Sequence, residues 1–593
     1  MNPRRRLTRP TRWPVVAVAL AAALAFSACA GDDPGDAVGQ PGFDDCAENP
    51  NTCNSGERDD GGSITWLVVS KPTGWNAYSP EGGSVYTLQM LHGIYPHTGM
   101  FAPDRETYLF NMDLFAAEPE LLSEDPQSWQ YVLRDEAVWD DGTPISADDF
   151  VVSWKLGTSP EQGHCDGCRS RATAPYDRVE SIEGSADGKT VTVTMKEGEY
   201  DPEWFGFLNV DSIAGGLMPA HVAEQNGFDV DDPVQLGGYF EWLQANMPTF
   251  SGGPYRIVEG DFENQVIKEP NENWYGEIDP TLETYIIRVI DDQGAWVPAL
   301  ANDEIHGGAP IQLNEDVVSG IRELPNVYSH IHPGPSWEHI DFNIDVPAFQ
   351  DVELRRAIFT AIDVDDIASR NFGEMFPDYT LRTNHVFSAD SPYHVDHVTE
   401  TGQGSGDTEA ALAILENAGY ELDGTTLTLD GEQVGPFRLR ATADQARVTS
   451  MELIQSYLAE VGIEIIIETT DDLGGMLGEQ DYDIAQFGWS GSPLFVGTAA
   501  QQWMTGSGSN FGNYSNPEVD RLVTQELTAT TQDEAAEIAN QAMEVLVQDA
   551  YVLPMYDSPV FIFASDGYVN VRDNTGESVR GVYNNHEWGT AVQ

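Results

Sequence analysis

The sequence predicts an α/β protein built as two lobes, and three observations carry that expectation. Residues 437–441 read as a strand, Met451, Ile454 and Leu458 mark an amphipathic helix, and residues 463–468 read as a second strand. A strand, a crossover helix and a strand imply a parallel pair within an α/β sheet. About 530 residues remain once a leader and the low-complexity segment behind it are set aside, more than one hydrophobic core usually serves. Finally, residues 484–517 contain no Asp, Glu, Lys or Arg, although 21% of the chain is charged and about seven charges would be expected there.

In order, the chain opens with Arg4, Arg5, Arg6, Arg9 and Arg12, an apolar run over 15–26, and Ser27, Ala28 and Cys29. Basic, apolar and small-residue zones in that sequence make an export signal over residues 1–28. A cysteine directly after the small residues resembles a bacterial lipobox, so Cys29 is the expected lipid attachment. The apolar run is shorter than the ~20 residues of a membrane span. Residues 29–62 are Gly, Asp, Asn and Pro with few large apolar side chains, and are expected to form a flexible tether. Four cysteines follow Cys29, and an even count in an exported chain reads as disulfides, with Cys46 and Cys53 the favoured pair. Cys165 and Cys168 form a C-x-x-C that fits a second bridge or a redox pair. A zinc site would need a second ligand pair beyond His164, so no metal is expected, and no cofactor.

The net charge is −68, or about −73 without the five leader arginines, and the chain has only five lysines. Such an excess argues against nucleic acid or anionic lipid as a partner of the body, and describes a solvated acidic surface.

Residues 64–70 read as the first buried strand. Residues 72–103 are again nearly neutral, with Glu81 the single charge among Trp75, Tyr78, Tyr86, Tyr95 and Phe101. Residues 129–134 alternate as a strand, and Ser146 with Asp149 makes a capping box that opens a helix through Val151, Val152 and Trp154. Residues 186–189 are a hairpin turn, with Val191 and Val193 sharing a face beyond it. Gly184, Gly188, Lys189 and Thr190 are one residue short of a phosphate loop and lead into a strand, so that reading is discarded. Residues 253–256 open a further strand, 285–290 form another, and 342–343 end one near Asp341; residues 352–362 are helical. A strand over 482–486 leads into the uncharged stretch, and open α/β sheets hold ligands beyond strand carboxyl ends. The stretch offers Trp489, Phe495, Trp503, Phe511 and Tyr514 among Gly, Ser, Asn and Gln, the surroundings of a largely uncharged ligand. A buried, loop-rich connector is the plainer alternative.

Certain segments carry a resemblance as a set. They are W-Q-Y-V-L-R at 129–134 with W-D-D-G-T-P-I-S-A-D-D-F at 139–150, G-P-Y at 253–255, N-W-Y-G at 273–276, and D-F-N at 341–343. D-V-E-L-R-R-A-I from 351, A-I-D ending at 363, G-W at 488–489, Y-S-N-P-E-V-D at 514–520 and L-P-M-Y at 553–556 complete it. Together they resemble the peptide/nickel-type (family 5) solute-binding lipoproteins of ABC importers, of the oligopeptide- and dipeptide-binding kind. The resemblance implies a two-lobed fold like the type II periplasmic binding proteins, with an extra subdomain in the first lobe. Residues 63–310 would form the first lobe, including an insertion over about 83–207, residues 311–552 the second, and 553–593 the return.

The implied function is that of a receptor, not an enzyme. A monomer, lipid-anchored on the outer face of the cytoplasmic membrane, would capture a peptide or peptide-like solute between its lobes and deliver it to an ABC permease. A neutral oligosaccharide or other polar solute is the alternative ligand. An exported hydrolase is the alternative from another class, but neither G-x-S-x-G nor H-E-x-x-H occurs. Trp489 would line the cleft from the second lobe, with Gln486 and Ser492 beside it and Asn510 and Tyr556 near ligand-contacting positions. Ser492 stands where peptide binders of this kind carry an Asp that meets the peptide amino terminus. A buried ammonium without an ionic partner is costly, and Glu81 from the other lobe is the candidate substitute.

Overall fold

One ten-stranded sheet runs through the protein in a computed structural model that describes residues 42–592 apart from Thr73, Glu81, Ala172, 212–214 and 311–312. Its strands, in chain order, are β1 (Ser63–Val68), β2 (Tyr255–Gly260), β3 (Gln265–Pro270), β4 (Thr284–Val289) and β5 (Gly307–Gly308). They continue as β6 (Val327–Phe342), β7 (Phe437–Thr442), β8 (Ile465–Thr470), β9 (Ile484–Ser490) and β10 (Val552–Ser565). The spatial order is β8-β7-β9-β6-β10-β5-β1-β4-β3-β2.

The βαβ unit read from the sequence is present: β7 and β8 are parallel, joined through the helix Gln445–Glu460, whose Met451, Ile454 and Leu458 are buried. The two long strands β6 and β10 pair antiparallel at the centre and belong to two hydrophobic cores. Ile562 and Ala564 of β10 pack with Trp66, Trp129, Tyr255 and Trp588 in the first lobe. Leu553, Phe561 and Phe563 pack with Phe342, Ile358, Leu439 and Ile454 in the second. Gly307 fits between β1 and β10 because a Cβ there would sit 2.6 Å from the Trp66 ring.

An antiparallel four-stranded sheet forms the extra subdomain of the first lobe: Phe115–Glu124, Gln127–Leu133, Thr190–Met195 and Val179–Gly184, in that spatial order. Helix Ala147–Gly157 packs on it. Its capping box forms as the sequence implies, with the Ser146 hydroxyl accepting from a backbone N–H of the first turn and Asp149 accepting from the Ser146 N–H at 2.9 Å.

Two elements differ from expectation. The uncharged stretch does not follow its strand but begins as one: β9 covers Ile484–Ser490, because seven residues without a charge or proline can enter the middle of a sheet beside β6. The segment expected to be a flexible tether is built into the body from Gly42 onward. Phe43 is 3% exposed in the first core, Asn54 donates to the Val571 carbonyl at 3.0 Å, and Arg58–Asp59 pairs with Gly589–Ala591. Cys46 and Cys53 are disulfide-bonded within it, as are Cys165 and Cys168. A few apolar anchors and one cross-link suffice to dock a polar segment, and composition does not register them. Among the described residues no helix is long and apolar enough to cross a membrane.

Candidate functional site

A cavity of about 230 Å³ lies between the lobes. The first lobe contributes the end of β1 (Leu67, Val68), Tyr86 and Gln89 of the helix Val85–Leu91, Asp211, and the segment 575–578 with Arg580. The second contributes Pro335, Ser336 and residues 490–492. Local chain geometry creates that second wall. Pairing of β6 with β10 is interrupted between Pro333 and Trp337, so Pro335 and Ser336 bulge from the sheet. The Pro335 carbonyl then accepts from the Gly491 N–H at 2.7 Å, fixing the chain just past β9. Gly491 and Ser492 also line a smaller cavity of about 80 Å³, bounded by Phe101 and Arg105 of the first lobe and by Arg382 and Tyr393 of the second.

Hydroxyls of Ser336, Ser490, Ser492, Thr575 and Ser578 line the main cavity, and among them stand three charged side chains of the first lobe. Glu577 is 2% exposed; its Oε1 accepts from the Phe101 N–H, while Oε2 has no donor among the described residues. Burial, reinforced by the nearby Asp211, pushes the Glu577 carboxyl well above the usual carboxylate range. Asp211 accepts from the Ser578 N–H at 2.8 Å; burial raises its carboxyl, against the pull of Ser578 and Arg171. Arg580, also 2% exposed, is held by Asp573 through Nε at 2.9 Å and through Nη2, and its Nη1 has no acceptor among the described residues. Arg580 is also in the left-handed backbone region, at φ +53°. Asp573, facing Arg580 and 3.0 Å from His332 Nε2, is held well below the carboxylate range despite burial.

Of the residues singled out from sequence, Ser492 lines this cavity, exposed, its Oγ accepting from the Leu494 N–H at 3.1 Å. Trp489 is two residues away at the end of β9, half-buried, its ring stacked between His339 (centroids 6.0 Å, 7°) and Phe511 (5.9 Å, 8°). Its Nε1 is buried with no acceptor among the described residues. Gln486 is buried in mid-strand and donates to Glu338 Oε2 at 3.4 Å; Glu338 is itself gripped by Arg447 at 2.6 and 2.9 Å. Asn510 is turned onto its own loop, donating to the Met504 and Tyr514 carbonyls at 3.1 and 2.7 Å and accepting from the Tyr514 N–H. Tyr556 is 1% exposed in the second core, edge-on to Phe372, with its hydroxyl 3.4 Å from the Asn371 amide. Glu81 and Cys29 lie outside the described residues.

The sequence reading missed Asp211, Glu577 and Arg580, which carry no motif and are three charges among 126 ionic side chains. It also missed Glu203, which ties the lobes together directly. From the first lobe its carboxylate accepts from the Phe495 N–H at 2.9 Å, the Val496 N–H at 3.3 Å and the Gln532 amide at 3.1 Å. Burial, with Asp201 adding to it, pushes the Glu203 carboxyl up to about 8.

The model of the family described as bacterial extracellular solute-binding proteins, family 5, matches residues 114–511. The oligopeptide-binding protein OppA of Mycobacterium tuberculosis is 26% identical over 507 residues, covering 84% of this chain and 80% of that protein. Among solved structures, the periplasmic EDTA-binding protein EppA is 28% identical with a TM-score of 0.83, covering 92% of this chain and 99% of that one. The oligopeptide-binding protein AppA of Bacillus subtilis, in complex with a nonapeptide, is 17% identical with a TM-score of 0.68, covering 90% and 100%. These relatives are binding proteins, and none is an enzyme. The chain belongs to family 5 of the bacterial extracellular solute-binding proteins.

Proposed function

We propose that this protein is the lipid-anchored receptor of an ABC importer, a monomer on the outer face of the cytoplasmic membrane. It captures a short peptide or peptide-like solute between its lobes and passes it to the permease. The observation that carries this reading is the cavity itself, closed by both lobes and ringed by serine and threonine hydroxyls beside the Tyr86 ring. Neutral donors and acceptors with an aromatic wall suit amide groups, and 230 Å³ suits a small ligand, below the ~300–1,000 Å³ typical of drug-sized sites. A polyanion of the kind named for the EDTA-binding relative fits poorly. Asp211 and Glu577 would face it, and the one arginine of the cavity is already neutralised by Asp573.

Native mass spectrometry of the purified protein tests the ligand: a retained peptide mass supports the reading, and a retained sugar mass replaces it with the oligosaccharide alternative. The anchor is tested separately. Cys29→Ala should move the protein to the soluble or secreted fraction, whereas tight membrane association of that variant would rule out lipidation at Cys29.

A further inference from the structure

We propose that Asp211 and Glu577 form the subsite that receives a cationic nitrogen of the ligand, with the free nitrogen of Arg580 taking an acceptor beside it. The inference rests on the interlobe cavity being the ligand site, and it names the chemistry that site selects. Two carboxylates and a guanidinium line one interlobe cavity. Glu577 and Arg580 both line the cavity, and Glu577 Oε2 and Arg580 Nη1 are buried with no protein partner among the described residues, although both side chains are otherwise tightly held. Unpaired buried polar atoms are expensive, so a pair of opposite character, carried by two residues that line one cavity, describes the ligand that would complete them. That ligand carries an N–H donor and, close by, a carbonyl or carboxylate oxygen.

Charge decides that the donor is cationic. Arg580 is balanced by Asp573 and Arg171 acts on Asp211, which leaves the two acids lining the cavity, Asp211 and Glu577, with one cation to share. The other ionisable groups acting on them are Arg171, upon Asp211, and Tyr108, beside Glu577; His332 bonds to Asp573. Without a ligand, burial of the two acids, with the charge of Asp211 acting on Glu577, favours keeping one proton. An ammonium between them offsets both effects and lets the proton leave. The second-lobe wall of the cavity, Pro335, Ser336 and residues 490–492, carries no acid, so the acidic partners come from the opposite wall.

The test uses the full mature chain and two equimolar tripeptide pools, one with free amino termini and one N-acetylated, read by native mass spectrometry. The free-amine pool should be retained at least about tenfold better, the scale of one hydrogen bond to a charged group. Glu577→Gln should erase the preference. Asp211→Asn serves the same purpose if the first variant does not fold. Titration calorimetry of a retained free-amine tripeptide near pH 7, in two buffers of different ionisation enthalpy, should show proton release in the wild type and none in Glu577→Gln. Equal retention of both pools, or preference for the acetylated pool, overturns the subsite while leaving the peptide-receptor reading in place. Retention of neither pool overturns both.

Discussion

Trp489 shows what a single residue contributes and how far the sequence could assign it. Stacked between His339 and Phe511 and still half-exposed, its ring ends β9 two residues short of Ser492. Because Trp489 leads into the cavity-lining residues 490–492 without lining the cavity itself, Trp489→Ala should weaken tripeptide binding by about 0.5–2 kcal/mol through their displacement, while a single cooperative melt survives. A variant that loses melting temperature but keeps its affinity would make Trp489 a packing residue. The neutral stretch was legible as a stretch, because missing charges show up as composition. Which of its side chains face ligand was not legible, because orientation changes from one residue to the next. Gln486 turns to Glu338 and Asn510 closes its own loop. Asp211 and Glu577 could not be singled out either, since 97 acidic residues look alike until folding buries a few of them.

Among the elements, those with strong local rules were legible and those defined by distant partners were not. The βαβ unit, the capping box at Ser146 and the hairpin before Val191 follow from period and turn chemistry. Strand β6 was legible only at its end, because Pro333, Gly334 and Pro335 interrupt the strand pattern; its partner β10 tolerates them as a bulge. The contact of Glu203 with residues 495–496 is also non-local, and it makes closure sensitive to pH. Burial holds the Glu203 carboxyl up at about 8, and opening removes the share of that burial supplied by residues 495–496, so the closed form keeps a proton to higher pH than the open form. Closure is thus least opposed at acidic pH and is progressively weakened as pH rises toward 8. The ionisable neighbours are Asp201, Tyr393 and, through Gly497, Glu526, itself pushed up to about 8 by burial. Small-angle scattering of the ligand-free protein should show the radius of gyration growing from pH 5 to 9. Glu203→Gln should flatten that curve by more than half. A wild-type radius independent of pH would refute the idea.

For the molecule as a whole, charge is the dominant fact, and two salt effects compete. Screening weakens the ion pairs, yet most of these are partly exposed, such as Lys71–Glu263, Arg521–Glu518 and Arg370–Asp366, and each is worth only about 0–1 kcal/mol. Screening also relieves the mutual repulsion of 97 acids opposed by 29 bases, a many-body term that grows with the square of the net charge. Repulsion should win, so the melting temperature should rise with NaCl. The shape of the rise identifies its cause. The Debye length falls from ~30 Å at 0.01 M to ~8 Å at 0.15 M and ~3 Å at 1 M, so relief of repulsion should be steep at low salt and nearly complete well below 1 M. Exclusion of salt from the protein surface would instead add stability in proportion to concentration up to molar levels. Melting curves across that range, repeated in KCl, separate the two. A flat or falling curve would mean that the acidic surface costs the fold little, and a straight line to molar salt would assign the gain to exclusion.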